Sequence, residues 1–390
     1  MYLSIVNKSK FGVLVLFIAL GIFLQCSSTQ NTSNLKEKTE KLLEKELTKN
    51  NVHNAFLSVY SPSQSIDWSF AGGAFANGEQ INLENPFITA SIGKTFTATA
   101  IAILAEQEDL KFNDPISLYL PDSLMYHLHI FNGVNYSRQI TIAHLLQHTS
   151  GLPDYFEGTT DGSKNVMELL FSEPDKFWNP VETIEFSKTK MQPLFVPGNG
   201  YNYTDTEYIL LGLIIEKISG MSLHQYFEEH FFKPLNMKHT SMHLRSEPIE
   251  KTLKLSETFV GDIEVSTFTS LSADWAGGGL VSTGSDLIKF QHALFSGEII
   301  SAETLKTMQN WVPETRGMEY GFGLRKVNFK KLFPTLPNLT VIGHSGSTGS
   351  FMFYCPELDV YLAGTLNQTD KVKESVVLMV KVLSLIEDIS

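Results

Sequence analysis

Among the residues of this chain able to do chemistry, Ser91 and Lys94 in the stretch "ASIGKTFTATAIAIL" (90–104) come first. Positions three apart share one face of a helix, so the lysine ammonium can reach back to the serine hydroxyl. Ile92, Phe96, Ile101, Ile103 and Leu104 would bury that helix on nearly every side. A lysine kept dry favours its neutral form and can take the hydroxyl proton, and a helix N-terminus favours the negative charge that develops. The plainer alternative is an N-cap serine with a lysine snorkelling to water. Ser-x-x-Lys also occurs at Ser33 and Ser187, in a polar stretch and in the charged "EFSKTKMQ", where nothing would dry the amine.

The elements that must position this pair are legible as patterns. Two runs rich in strand-forming residues, 55–61 and 65–75, read as a hairpin, and "SFMFYC" and "VYLAGTLN" flanking "PELD" read as a second one near the other terminus. An amphipathic helix over 35–49 and a closing helix over 372–386 bracket them. Helices are expected at 142–147, 206–219 and 223–232, with Ser219-Gly220 as a stop signal. Strands at both ends and helical sequence between them predict one antiparallel sheet assembled from the two termini plus a helical insert at roughly 110–270.

The 390 residues are 43% hydrophobic and 18% charged, in the globular range. Lys8 and Lys10 precede fourteen uncharged, mostly apolar residues, 11–24, which read as a signal-peptide core. Cys26 and the polar string after it resemble a bacterial lipoprotein signal. Residues 1–25 are therefore expected to be a signal peptide, 26–34 a lipidated or flexible tether, and 35–390 the folded domain, held at the cell envelope by lipid on Cys26. Removing the two leader lysines takes the formal charge from −12 to −14, which argues against nucleic acid as a partner. Cys355 is then left without a disulfide partner and reads as a small core residue. His144 and His148 stand four apart, but Leu145 occupies the place of the glutamate of a zinc-protease helix and no third ligand is evident, so no metal is expected. No Gly-x-Ser-x-Gly is present, which excludes a nucleophile elbow.

Ser-x-x-Lys followed by a second polar motif and a Lys-Thr-Gly strand is the signature of penicillin-recognising serine enzymes. The chain resembles that superfamily over nearly all of 50–390, in the branch of class C β-lactamases, D-alanyl-D-alanine carboxypeptidases and esterases. The resemblance rests on "SIGKTFTA" at 91, "KFNDPISLYLP" at 111, "HLLQHTSGL" at 144, "YNYTDTEYILLGLIIEKISG" at 201, "GGGLVSTGSDL" at 277 and "GHSGSTGSF" at 343, in that order.

The resemblance implies an α+β, β-lactamase/transpeptidase-like fold with an antiparallel sheet flanked by helices, a mostly helical region, and the active site between them. It implies that Ser91 forms an acyl-enzyme, that Lys94 and Tyr203 move protons, and that no cofactor takes part. Asp205 stands where the family has an asparagine that donates to the substrate; a carboxylate can only accept, and would hold Lys94 protonated. His344-Ser345-Gly346 stands in place of Lys-Thr-Gly on an edge strand, so His344 would offer a pH-dependent positive charge to a substrate carboxylate. Gly346 would let substrate approach the strand, and the Ser347 N–H would complete an oxyanion hole with that of Ser91. The histidines of "HLLQHTSGL" are expected to buttress the site, and the triple glycine at 277–279 to serve backbone packing. The implied activity is D-Ala-D-Ala carboxypeptidase or β-lactamase-related hydrolysis of a small or peptide substrate such as a peptidoglycan stem peptide. An esterase, a D-amino-acid peptidase, and a binder of penicillin or cell-wall fragments that does not turn over are the alternatives.

Overall fold

The computed structural model describes residues 33–251 and 253–388. The leader and Cys26, with their lipid and membrane assignments, lie outside these residues. Among the described residues no helix is long and apolar enough to cross a membrane.

Eight antiparallel strands form the main sheet. In chain order they are β1 (Asn54–Ser61), β2 (Ile66–Gly73), β3 (Val312–Thr315), β4 (Met318–Tyr320), β5 (Arg325–Asn328), β6 (Thr340–Ser345), β7 (Phe351–Cys355) and β8 (Val360–Thr365), and across the sheet they run β3-β4-β5-β6-β7-β8-β1-β2. The two termini meet at β1 and β8, with Phe56 opposite Thr365 and Tyr60 opposite Tyr361. Strand alternation divides the side chains between two cores. Ala55, Leu57, Val59, Phe351 and Phe353 join a cluster with Leu35, Leu43, Leu378 and Leu383 on one face, whereas Phe56, Met352 and Ala363 join a larger cluster on the other.

The first cluster is covered by helix α1, residues 33–47, and by the closing helix α7 (Val372–Glu387). Ser33 and Asn34, read as tether, are thus already helical. The second face is covered by α2 (Gly93–Glu106) and α6 (Gly284–Ser296); α3 (Ile142–Leu146), α4 (Asp205–Ser219) and α5 (Trp275–Gly278) complete the helical side of the site. Every residue of α2 from Gly93 to Leu104 is buried, and Phe96 stacks on Phe290 with ring centroids 3.6 Å apart. α4 ends at Gly220 in the left-handed conformation (φ 68°) that glycine adopts without strain. The segment between β2 and β3 is longer than the insert expected from sequence, because it also carries α2 and α6.

The other Ser-x-x-Lys matches differ from Ser91 in the lysine. Ser33 is exposed. Ser187 is buried, against expectation, but Lys190 points outward, 43% exposed, toward Asp161 at 3.5 Å.

Candidate active site

Ser91 lies in a 3-10 turn, Ala90–Ile92, that runs directly into α2. Neither the turn nor the helix is capped by a side chain, so the N-cap reading of this serine fails. Ala90 has φ 47°, a left-handed conformation that costs a non-glycine residue about 1–3 kcal/mol. That kink sits immediately before the nucleophile candidate and belongs to the cleft wall with it.

Lys94 is wholly buried and does not snorkel. Its Nζ donates to Ser91 Oγ at 3.2 Å, to the Gly277 carbonyl at 3.0 Å, and to Asp205 Oδ1 in a short ion pair. Burial acts to lower the ammonium's pKa, but Asp205, with Tyr203, outweighs it and raises the pKa above the ordinary lysine value. Lys94 is therefore a cation at rest. Of the two expectations, a dry neutral amine and a lysine kept protonated by Asp205, the direction of the shift favours the second, and its cause is the carboxylate at 205.

Thr204, not Asp205, caps α4: its hydroxyl accepts the Thr206 N–H, which leaves the Asp205 side chain free to face Lys94. Asp205 thus engages the lysine instead of donating to a substrate. Tyr203, one residue before the cap, is held so that its phenol interacts with both Ser91 and Lys94; the ammonium lies 4.9 Å from its ring centroid. Burial raises the phenol's pKa, with Lys94 opposing, so the group at rest is neutral.

The loop carrying Tyr203 is fastened by the "HLLQHTSGL" segment. The His148 carbonyl accepts the Asn202 N–H, and its Nδ1 lies 2.6 Å from Glu207 Oε2 and 3.3 Å from the Thr204 nitrogen. Burial pushes His148 well down and Glu207 well up, so the pair is neutral and the Glu207 O–H donates to the imidazole. His144 closes a capping box with Thr141 at the start of α3. The two histidines serve separate local structures and share no common point.

His344 requires a correction. β6 is an interior strand, between β5 and β7, and the imidazole is fully buried. Its Nδ1–H donates to the Ser345 carbonyl at 2.7 Å, and Nε2 accepts from the Tyr320 hydroxyl at 2.9 Å. Burial first, then Arg325 and Lys94, drive its pKa well below the ordinary histidine value, so it offers no positive charge to a substrate. The cation on this wall is Arg325, which faces Gly343 across β5 and β6. It pairs with both Glu314 carboxylate oxygens at 2.7 Å and donates to Ser345 Oγ at 3.2 Å.

Gly346 has no room for a side chain, since a Cβ would meet Ser350 Oγ at 2.2 Å and the Thr89 carbonyl at 2.5 Å. Ser91 and Ser347 line the same cleft, and among the described residues neither backbone N–H has a protein acceptor. Two open donors beside a nucleophile are what a developing oxyanion needs.

Asp154 and Asp274 complete the cleft, and sequence reading passed over both. Burial and the Asp205 charge push Asp154 up to about 6 and Asp274 to about 7. Asp274 lies three residues before the glycine triplet, and Asp154 follows "SGLP", so neither position carries a motif signal of its own. Arg325 sits in "GLRKVN", which has no strand alternation to draw attention to it.

The sequence profile of the beta-lactamase family matches residues 39–381. A penicillin-binding protein of Bacillus subtilis is 28% identical over 277 residues, 65% of this chain and 55% of the relative, so the match spans about half of that relative's length. Among solved structures, the D-amino acid amidase of Ochrobactrum anthropi superposes with a TM-score of 0.75 at 25% identity, covering 91% of this chain and 99% of the other. A D-stereospecific amidohydrolase from a Streptomyces species superposes with a TM-score of 0.70 at 26% identity, covering 85% and 94%. With the profile matched from α1 to α7, the chain belongs to the beta-lactamase family, a family of serine hydrolases.

Proposed function

We propose that the protein is an acyl-enzyme-forming amidohydrolase of small substrates built on D-amino acids. The observation that carries this reading is the contact of Ser91 Oγ with a buried lysine that also touches a carboxylate, in a cleft with two open N–H donors. The two amidohydrolases of D-stereospecificity that superpose over most of the chain support the choice of substrate.

In this reading Ser91 Oγ attacks the scissile carbonyl, and the oxyanion forms at the N–H groups of Ser91 and Ser347. The hydroxyl proton passes to Lys94 Nζ while Lys94 returns one of its own protons to Asp205, so the amine stays charged and the carboxylate is the final acceptor. Tyr203 passes a proton to the leaving nitrogen and regains one from the water that hydrolyses the ester, and the proton held by Asp205 returns through Lys94 to Ser91 Oγ as it is released. A β-lactam binder that stops at the acyl-enzyme would share only the first half.

A second reading, a D-Ala-D-Ala carboxypeptidase, draws on Arg325 and Ser345, which line the cleft and would meet a terminal carboxylate.

The test is a panel of D-alanine p-nitroanilide, an N-acylated D-Ala-D-Ala peptide, p-nitrophenyl acetate and a chromogenic cephalosporin. Wild type should turn over the anilide best, and Ser91→Ala should lose on the order of 10³-fold or more. Faster release of D-alanine from the peptide would select the carboxypeptidase, and a stable Ser91 adduct without product would select the binder. Equal rates for wild type and Ser91→Ala would remove the nucleophile assignment.

A further inference from the structure

Behind the cleft lies a second, apolar cavity. Met167, Leu170, Phe171, Val265, Phe268 and Leu271 are among the residues that line it. Its volume is about 50 Å³, several times the roughly 10–15 Å³ that one water needs, so a branched alkyl or aromatic side chain held in the cleft can reach into it. Ala90, Phe156, Asp274 and Ser347 belong to both spaces, so the cavity opens beside the open Ser347 N–H and the turn bearing Ser91.

Asp274 stands at that junction. Among the described residues no donor reaches its carboxylate, and no cation pairs with it. The cations of the cleft are committed elsewhere: Lys94 to Ser91, Gly277 and Asp205, and Arg325 to Glu314 and Ser345. Asp154 and Asp205 face the same space, and the crowding of carboxyl groups raises Asp274 toward neutrality. A ligand ammonium would supply both the positive charge and the three donors this wall lacks.

We infer that the acyl part of the substrate carries a free protonated amine, bound by Asp274, and a large apolar side chain, seated in the adjoining cavity. The inference rests on the amidohydrolase reading and narrows it to aminoacyl amides, esters or N-terminal residues of peptides with an aromatic or branched side chain. An acyl group attached to Ser91, with its oxygen at Ser347, has its α-carbon at the shared rim, from which the amine and the side chain diverge toward Asp274 and the apolar wall.

The experiment has a kinetic and a binding arm. Wild-type kcat/KM on phenylalanine p-nitroanilide should exceed that on the N-acetyl derivative by about tenfold or more, the size of one hydrogen bond to a charged group. It should exceed that on alanine p-nitroanilide by about tenfold, as the transfer of a phenyl group from water requires. Both enantiomers are to be assayed. Asp274→Asn should cut the free-amine to N-acetyl ratio at least about fivefold, and Leu271→Trp, which fills the cavity, should cut the phenylalanine to alanine ratio.

Independently of turnover, 2-phenylethylammonium should bind Ser91→Ala protein more tightly than 2-phenylethanol, and that advantage should shrink in the Ser91→Ala/Asp274→Asn protein. Equal hydrolysis of free-amine and N-acetyl substrates by a Ser91-dependent enzyme would overturn the inference and leave the hydrolase reading intact. Loss of all Ser91-dependent turnover would remove the hydrolase reading, and equal binding of the ammonium and the alcohol would then remove the inference too.

Discussion

Asp205 decides what Lys94 can do. A buried lysine alone would lose its proton readily, and it is the carboxylate in contact with Nζ that keeps this one charged. If the carboxylate is the final proton acceptor, Asp205→Asn leaves Ser91 without one at neutral pH, and kcat/KM at pH 7 should fall by about 10²-fold or more. What activity remains should require a neutral Lys94. A pH–rate profile of the two proteins checks this: equal or higher activity in Asp205→Asn would mean that the neutral amine is the base and the carboxylate only restrains it. The identity of residue 205 and its effect on the lysine were readable from the sequence, because a carboxylate beside an ammonium has one electrostatic sign. His344 was misread, because its burial and its bond to Tyr320 depend on residues distant in sequence.

At the scale of elements, the site is a junction of α2, α4 and α5, and Gly277 sets how closely they approach. A Cβ at 277 would lie 2.5 Å from Asp205 Oδ1 and 3.6 Å from Lys94 Nζ, closer to the carboxylate than real Cβ contacts allow. Gly277→Ala should therefore push Asp205 off Lys94 and lower kcat by at least about tenfold, since displacements near 1 Å at a reacting centre cost up to about 10²-fold. KM should change less, and the melting temperature should drop by only a few degrees, about the effect of 1 kcal/mol or so. Wild-type kcat in this variant would show that the spacing of the helices is not critical. The glycine triplet was visible in sequence as a place of close packing, although not as a wall of the lysine pocket. α2 was legible because an apolar residue on every side leaves burial as its only setting, and β1, β2, β7 and β8 because they are short runs of strand-forming residues separated by turn residues. β3, β4 and β5 were not, being three or four residues long and rich in charge, with Pro313 in the first. Arg325 was hidden with them.

The whole molecule carries its buried titratable groups as two opposed sets, and its stability should depend on pH through both. Asp154 and Asp274, raised to about 6 and about 7 in the folded state from 3.8, bind protons natively that the unfolded chain has released. Between about pH 4 and 7 the native state holds more protons, so their contribution to stability is lost as pH rises through that window. His148 and His344 act in the other direction: lowered well below 6.5 by burial, they stay neutral while the unfolded chain takes up protons, so stability is lost as pH falls below about 6.5. The two slopes overlap near pH 6, and wild type alone cannot separate them. Asp274→Asn removes one acidic member and retains its shape. Relative to wild type it should be more stable at pH 7.5, where the native protein must hold an unpaired, half-buried carboxylate, and that advantage should shrink by a few degrees in melting temperature, or reverse, at pH 5. Calorimetric or fluorescence melting of the two proteins at both pH values checks this, and melting temperatures that stay parallel would show that Asp274 is ionised throughout. The same unpaired carboxylate that costs the empty protein stability would be the group relieved when a cation enters the cleft. Saturating 2-phenylethylammonium should accordingly raise the wild-type melting temperature more at pH 7.5 than at pH 5, because the fraction of Asp274 in its charged form is larger there.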